Sequence, residues 1–120
     1  MSVNSRQVVG AFLTVALSWG SSAAAHSTKE KTEPADGAVI TTAPTTIGMT
    51  FDSPMRVTMI TLTDAEGGEY PVDRTDGMVP VMSFTADVPP LQRGTYTVEW
   101  RGLADDGHAM DGSFSFKIGD

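Results

Sequence analysis

The sequence contains no cysteine, and this absence excludes several kinds of site at once. Without thiols the chain cannot form a disulfide, a thiolate zinc site or a cysteine nucleophile. Any metal ion would therefore have to be bound by nitrogen, oxygen or thioether donors. Basic residues are also scarce, with 8 Lys and Arg against 15 Asp and Glu in 120 residues. Because a surface of this sign repels phosphate groups, the composition argues against binding to nucleic acid or to an anionic membrane surface.

The chain also lacks an apolar run of the roughly 20 residues that a membrane-spanning helix needs. Its longest apolar segment, residues 8–19, follows a single basic residue, Arg6, and is followed by small residues that end in Ala23-Ala24-Ala25. This order is typical of a secretory signal peptide. We therefore expect residues 1–25 to be removed on export, which leaves one domain, residues 26–120, with a formal charge of −8.

The exported part shows the period-two alternation of half-buried β-strands and no stretch with helical periodicity. Further strands are expected at 57–63, 70–72 and 81–86, and the mixed apolar character of 57–63 indicates a central strand. Turn signals between them predict about seven strands in an all-β sandwich or small Greek-key barrel. The clearest alternating residues are Ile47, Met49, Phe51, Tyr96, Val98, Trp100, Phe114, Phe116 and Ile118.

Several finer expectations follow from the same pattern. Residues 52–54, Asp-Ser-Pro, read as a turn, and residues 64–68 read as a hairpin in which a glycine takes a positive φ. Met49 and Met82 fall on predicted inward faces, so both are expected in the core. The polar segment 26–33 is expected to fray unless other residues hold it.

The two histidines of the chain point to a metal site. After removal of residues 1–25, His26 is the first residue, and its α-amine and imidazole Nδ1 can chelate one ion, an arrangement called a histidine brace. Asp106 and His108, two residues apart in a predicted loop, can add one oxygen and one nitrogen. Three nitrogens and one oxygen suit Cu(II), which prefers tetragonal N,O coordination. We therefore predict one Cu(II) ion per mature chain, bound by His26, Asp106 and His108.

Plainer interpretations of the same residues stay open at this point. His26 can be no more than the first residue after the protease cut. Asp-Gly-His can be a surface turn in which Gly107 supplies backbone freedom and Asp106 caps the turn. Thioethers bind Cu(I), but a methionine copper site is disfavoured because core packing is the default for Met49 and Met82.

The sequence resembles the CopC family of periplasmic copper-binding proteins. The resemblance begins with the Ala-x-Ala junction before His26 and covers nearly the whole mature chain in the right order. The matching segments are Glu-Pro-Ala-Asp-Gly at 33–37, Met-Thr-Phe-Asp-Ser-Pro at 49–54, Leu-Gln-Arg-Gly-Thr-Tyr-Thr-Val-Glu-Trp-Arg at 91–101, Asp-Gly-His at 106–108 and Gly-Ser-Phe-Ser-Phe at 112–116.

The resemblance implies a seven-stranded Greek-key β-barrel of cupredoxin-like or immunoglobulin-like topology. It also implies that Cu(II) is bound in the periplasm by the amine and imidazole of His26 and by Asp106 and His108. Members of the family work in copper resistance or uptake, often beside a CopD-type inner-membrane protein. Some members carry a Met-rich Cu(I) motif with a nearby histidine, which this sequence lacks, so that site is not carried over.

These observations predict a monomeric periplasmic copper carrier or buffer that is not an enzyme. One alternative is a copper-dependent oxidase that resembles lytic polysaccharide monooxygenases, which also use a histidine brace. Redox catalysis at copper needs an open equatorial position for oxygen, however, and Asp106 would fill it. The other alternative is a metal-free immunoglobulin-like interaction module with accidental histidines.

Overall fold

The computed structural model describes residues 30–119, and every regular element within them is a β-strand. The prediction of an all-β domain is confirmed, and no helix in the described part could cross a membrane. Eight strands are present where about seven were expected, since two of them are pairings of only two residues. The strands are β1 (Glu30–Glu33), β2 (Ala38–Ile40), β3 (Thr46–Asp64), β4 (Glu69–Tyr70), β5 (Asp73–Arg74), β6 (Val81–Asp87), β7 (Gly94–Ala104) and β8 (Ala109–Ile118).

The strands form one mixed sheet in the order β2-β8-β7-β3-β6-β5, with β1 and β4 also paired to β3. The pairing of β2 with β8 is parallel, and the other pairings are antiparallel. Strand β3 is therefore the centre of the sheet, as predicted for residues 57–63. Its first half pairs with β1 and β6, and its second half pairs with β7 and β4.

The turn predicted at residues 52–54 is wrong, because β3 runs through this segment without a break. The chain does not reverse there; instead the register with β6 shifts between Thr50 and Met55. An irregular pairing of this kind accommodates a proline and bends the strand. The Asp-Ser-Pro signal thus marks a bend inside one long strand and not the end of a strand.

The bend in β3 closes the sheet on itself. Trp100 pairs with Ile60, nine residues along β3 from Phe51, a separation of about 30 Å in a straight strand. The rings of Phe51 and Trp100 nevertheless lie 5.3 Å apart, centroid to centroid, in an edge-to-face contact. The two halves of β3 therefore face each other across a common core, as in a sandwich or barrel.

The alternating residues predicted to point inward line this core, and Met49 is among them at 2% exposure. Met82 is not, since half of its surface is exposed. It lies between the pairs Thr50–Ser83 and Met55–Val81, where the register shifts, and has no paired residue on β3. The buried hydrophobic residues of this core are Ile47, Met49, Phe51, Met55, Val57, Leu62, Phe84, Ala86, Leu91, Tyr96, Val98, Trp100, Phe114, Phe116 and Ile118.

The hairpin predicted at residues 64–68 is confirmed. Gly67 has a φ of 85°, and the backbone N–H of Asp64 donates to the Gly68 carbonyl at 2.9 Å. The second half of the polar segment 26–33 does not fray, because β1 pairs with β3 from Glu30 to Glu33. The predicted signal peptide and residues 26–29 lie outside the described residues.

Candidate metal centre

The hairpin between β7 and β8 positions Asp106 and His108. The ladder between the two strands ends at the pair Leu103–Ala109. Beyond it, the Ala104 N–H donates to the His108 carbonyl at 2.8 Å, and the Gly107 N–H donates to the Ala104 carbonyl at 2.8 Å. Gly107 has a φ of 89°, in the left-handed region that glycine adopts without strain. This glycine therefore lets the two candidate ligands sit on one tight turn.

Asp106 and His108 interact directly through backbone and side chain. One carboxylate oxygen of Asp106, Oδ1, accepts a hydrogen bond from the His108 N–H at 3.1 Å. The other, Oδ2, lies 2.7 Å from His108 Nδ1. The backbone N–H of His108, and then its ring, hold the pKa of Asp106 below its ordinary value of 3.8. Asp106 is therefore a carboxylate at neutral pH, and both side chains are exposed, at 65% and 77%.

The separation of these two atoms fits two donors on one metal ion. Nitrogen and oxygen donors bind first-row ions at about 2.0–2.1 Å, so neighbouring ligands in a square plane are about 2.8–3.0 Å apart. The Oδ2 and Nδ1 atoms are already 2.7 Å apart, and the other ring nitrogen, Nε2, lies on the far side of the imidazole. The turn interpretation and the metal interpretation are thus compatible, because the same turn brings the donors together.

Within residues 30–119, no group of three or more His, Asp and Glu side chains is arranged to hold a metal ion. The described part therefore supplies two of the predicted donors, Asp106 and His108. The third predicted ligand, His26, lies outside the described residues. Met110, two residues beyond His108, is half-buried and packs against the core.

Strand β1 approaches this hairpin along β3. At Met49, β3 is flanked by Thr32 of β1 and Phe84 of β6. At Met55, it is flanked by β6 again and, on the opposite edge, by Ala104 of β7. Strands β1 and β7 therefore lie on the same edge of β3, and the first described residue of β1 points toward the end of β7 from which the Asp106–His108 turn begins.

The surroundings of Glu30 at the start of β1 could not be predicted from the sequence. Glu30 pairs with Phe51, whose ring contacts Trp100 of β7. The side chain is half-buried, and burial raises its pKa; the N–H of the Trp100 indole opposes this rise, and Asp36 adds to it. These residues are far apart in the chain, so no local spacing could have revealed their proximity.

Comparison with solved structures defines the class of fold. CopC from Methylosinus trichosporium OB3b superposes with a TM-score of 0.66 at 21% identity, covering 77% of this chain and 93% of that one. PcoC, a copper resistance protein from Escherichia coli, superposes with a TM-score of 0.62 at 22% identity, covering 74% and 96%. The domain is thus a β-sandwich or barrel of the kind seen in these proteins.

Sequence comparison then identifies the family. Copper resistance protein C from Xanthomonas campestris pv. juglandis is 30% identical over 129 residues, which covers 94% of this chain and 96% of the relative. Residues 29–119 match the CopC domain. The chain belongs to the CopC family, as its sequence motifs suggested.

Proposed function

We propose that the protein binds one Cu(II) ion in the periplasm and acts as a copper carrier or buffer in copper resistance or homeostasis. The observation that carries the proposal is the Asp106–His108 pair, an exposed carboxylate and imidazole 2.7 Å apart on a tight turn. Membership in the CopC family supports copper as the ion, since the relative from Xanthomonas is named a copper resistance protein.

We propose His26 as the other half of the site. Its amine and imidazole would complete a set of three nitrogens and one oxygen, which suits Cu(II). His26 lies four positions before Glu30, a reach of about 13 Å in an extended chain. Phe51, opposite Glu30, likewise lies four positions before Met55, opposite Ala104. The chain is therefore long enough to bring His26 to the hairpin that carries Asp106 and His108.

A carrier function fits this ligand set better than catalysis. With His26, Asp106 and His108 in the plane, the carboxylate takes the equatorial position that oxygen would need in a copper oxidase. The exposed pair at the tip of a hairpin also leaves the ion accessible to an acceptor protein. We propose that the protein works as a monomer and hands its ion to, or receives it from, a membrane protein of the CopD type.

The test is a copper titration of the mature protein followed by electron paramagnetic resonance. We expect one equivalent of type 2 Cu(II) with nitrogen ligation. A variant with one extra residue before His26 should bind copper far more weakly, because it lacks the primary amine and its chelate ring. Mass spectrometry of the exported protein checks that the chain begins at His26. Unchanged affinity in the extended variant would rule out the brace, and no copper uptake at all would rule out the proposed function.

A further inference from the structure

The exposed apolar side chains of the described residues are gathered mainly in one region of the surface. Five large hydrophobic side chains between residues 30 and 119 are exposed. One of them, Val39, pairs with Lys117 near the end of β8 that is farthest from the Asp106–His108 turn. The other four, called here the apolar face, are Met78, Val79, Met82 and Leu103.

Arg56 connects the parts of the apolar face. It lies directly opposite Leu103 in the ladder between β3 and β7, so the two exposed side chains are on the same side of the sheet. The guanidinium Nη1 of Arg56 donates to the Met78 carbonyl at 3.0 Å, which brings the loop before β6 to the same place. Met82 is the second residue of β6, and this strand begins opposite Met55, the neighbour of Arg56. The apolar face therefore borders one arginine.

The loop that carries Met78 and Val79 is held in a defined shape. The guanidinium of Arg74 donates to both carboxylate oxygens of Asp76, and the Val79 N–H donates to the Asp76 carbonyl at 3.3 Å. Met78 has a φ of 60°, in the left-handed region that residues other than glycine seldom adopt. Such a conformation persists only where the surroundings impose it, and it is typical of functional sites. The loop is therefore built to expose these two side chains.

Arg56 gives the apolar face a positive charge that no described acidic side chain neutralises. Within residues 30–119 its guanidinium forms no ion pair, and its hydrogen bond goes to an uncharged carbonyl. Arg74, in contrast, is paired with Asp76. Methionine and arginine are both enriched at protein–protein interfaces, and arginine often contributes a large share of the binding energy. An arginine among apolar side chains fits a carboxylate that is itself surrounded by apolar groups.

The charge of the chain distinguishes the possible occupants of this face. Residues 26–120 carry a formal charge of −8, so a second copy of the chain would be repelled, as would an anionic membrane surface. A two-fold contact through the apolar face would also bring two Arg56 side chains together. The occupant that fits best is a different protein, with a carboxylate for Arg56 and apolar side chains around it.

The apolar face adjoins the turn that carries Asp106 and His108. Leu103 forms the last pair of the β7–β8 ladder, with Ala109, and the turn follows directly. A protein docked on Leu103 would therefore lie beside the proposed copper ligands. Four side chains and one arginine make a small contact, which is typical of transient complexes. A carrier needs a complex of this kind because it must release its partner after each exchange.

We propose that the apolar face and Arg56 form the docking site for the protein that exchanges copper with this chain, and that this partner meets Arg56 with a carboxylate set among apolar side chains. This inference rests on the proposed function and adds the chemistry of the partner to it. The docking site contains none of the proposed copper ligands, so it can be altered while those ligands stay in place.

The experiment is site-specific photocrosslinking of the full chain in copper-treated cells of its native host. The photoreactive residue p-benzoylphenylalanine replaces Met82 or Leu103, and it replaces Val39 in the control. Val39 is matched because its side chain is also apolar and exposed but lies on β2, outside the apolar face. Mass spectrometry identifies each crosslinked protein and the segment that is attached. Cu(II) binding of each purified variant is measured by competition with a chelator.

We expect positions 82 and 103 to give the same adduct with a different protein, in a segment that contains Asp or Glu among apolar residues. Position 39 should not give it. Arg56→Glu should reduce the yield at least about tenfold, since like charges strongly disfavour a contact. Lys117→Glu, which changes the net charge equally beside Val39, should leave the yield unchanged. Both variants should still bind one Cu(II), and a lysine in place of the partner's carboxylate should restore the adduct with Arg56→Glu.

Circular dichroism checks the fold of each variant. If Arg56→Glu does not fold, Leu103→Ser takes its place, with Val39→Ser as its control. Both remove an exposed apolar side chain, but only Leu103→Ser should weaken the adduct from position 82.

Three results would overturn the inference while leaving the proposed function intact. The first is that positions 82 and 103 give no adduct, or only those that position 39 also gives. The second is an adduct with a second copy of this chain alone. The third is an equal loss of yield in Lys117→Glu, which would show that only the overall charge matters. Failure of the wild-type protein to bind Cu(II) would instead overturn the proposed function itself.

Discussion

The Oδ2 atom of Asp106 lies 2.7 Å from Nδ1 of His108, and the backbone N–H of His108 also donates to Asp106 Oδ1. The contact is exposed, and exposed ion pairs contribute little to folding stability. The pair therefore contributes little to the stability of the fold, and its role as a metal ligand stays a prediction. A metal ion bound by both atoms would replace this direct contact.

This relationship predicts that Asp106→Asn weakens Cu(II) binding without weakening the fold. The amide keeps the size of the side chain but not the charge that a copper ion prefers in an oxygen ligand. We expect affinity to fall by at least about tenfold, measured by chelator competition, with little change in the melting temperature of the apoprotein. Asp105→Asn is the matched control, because Asp105 lies in the same turn and its loss changes the net charge equally. An equal loss in both variants would mean that Asp106 acts only through the overall charge.

A second prediction concerns Gly112, beneath the Trp100 indole. A Cβ atom there would lie 2.8 Å from Nε1, closer than Cβ atoms approach other heavy atoms in proteins, and 3.0 Å from Cε2, which is also tight. The indole is buried, so Gly112→Ala should destabilise the apoprotein by about 1–3 kcal/mol, the usual cost of overpacking. Urea denaturation followed by Trp100 fluorescence measures this.

Gly119→Ala serves as the control for that substitution. A Cβ atom at Gly119 would meet only the flexible side chain of Lys117, at 3.5 Å, which is ordinary contact. Its stability should therefore stay close to that of the wild type. A Gly112→Ala protein as stable as the control would show that the core can rearrange around Trp100.

The loop after β5 is held by Arg74, and a third prediction tests this arginine. Its guanidinium donates to both carboxylate oxygens of Asp76, at 2.8 and 2.7 Å, and to the Val57 carbonyl, and it lies over the Phe84 ring at 5.1 Å. A lysine cannot make the bidentate contact with the Asp76 carboxylate. Arg74→Lys should therefore lose about 1.5–3 kcal/mol of folding stability, the range for hydrogen bonds to charged groups.

The Arg74–Asp76 pair also predicts the pH range in which the stability difference between wild type and Arg74→Lys disappears. The hydrogen bond from Arg74 lowers the pKa of Asp76 below its ordinary value of 3.8. The resulting stability is complete above pH 3.8 and is lost as the pH falls through the lowered value. Chemical denaturation should thus separate wild type and Arg74→Lys clearly at neutral pH and much less in strong acid. Arg101→Lys, on the exposed face of β7, is the control.

The sequence predicted well what depends on local pattern. Alternation along 96–100 and 114–118 placed Tyr96, Trp100 and Phe116 in the core, and the glycine-rich signal at 64–68 identified a true hairpin. The sequence also placed Asp106 and His108 in one loop, where a tight turn brings residues two apart together; their role as metal ligands stays a prediction. These are cases in which neighbouring residues alone determine the outcome.

What the sequence could not predict depends on contacts between distant residues. Asp-Ser-Pro at 52–54 is a turn signal, but β6 and β7 pair on either side of it and turn it into a bend within β3. Met82 falls at the register shift that accompanies this bend. The alternation of the sequence predicted an inward side chain there, but half of the surface of Met82 is exposed. The approach of Glu30 to Trp100 follows from closure of the whole sheet and leaves no trace in local spacing.

The last prediction concerns Tyr70 and Asp64, which join β4 to the end of β3. The Tyr70 hydroxyl donates to Asp64 Oδ2 at 2.8 Å, and this bond raises the pKa of Tyr70 from 10.0 to about 12. The neutral phenol is thus favoured in the folded protein. Its contribution to stability is complete below pH 10 and is lost as the pH rises toward about 12, because the unfolded chain loses the proton first.

Denaturation of the wild type at increasing pH should show this decline. Tyr70→Phe should be less stable at neutral pH and should lack the part of the decline that belongs to Tyr70. Parallel curves for the two proteins across this range would show that the hydroxyl is not bonded to Asp64 in solution.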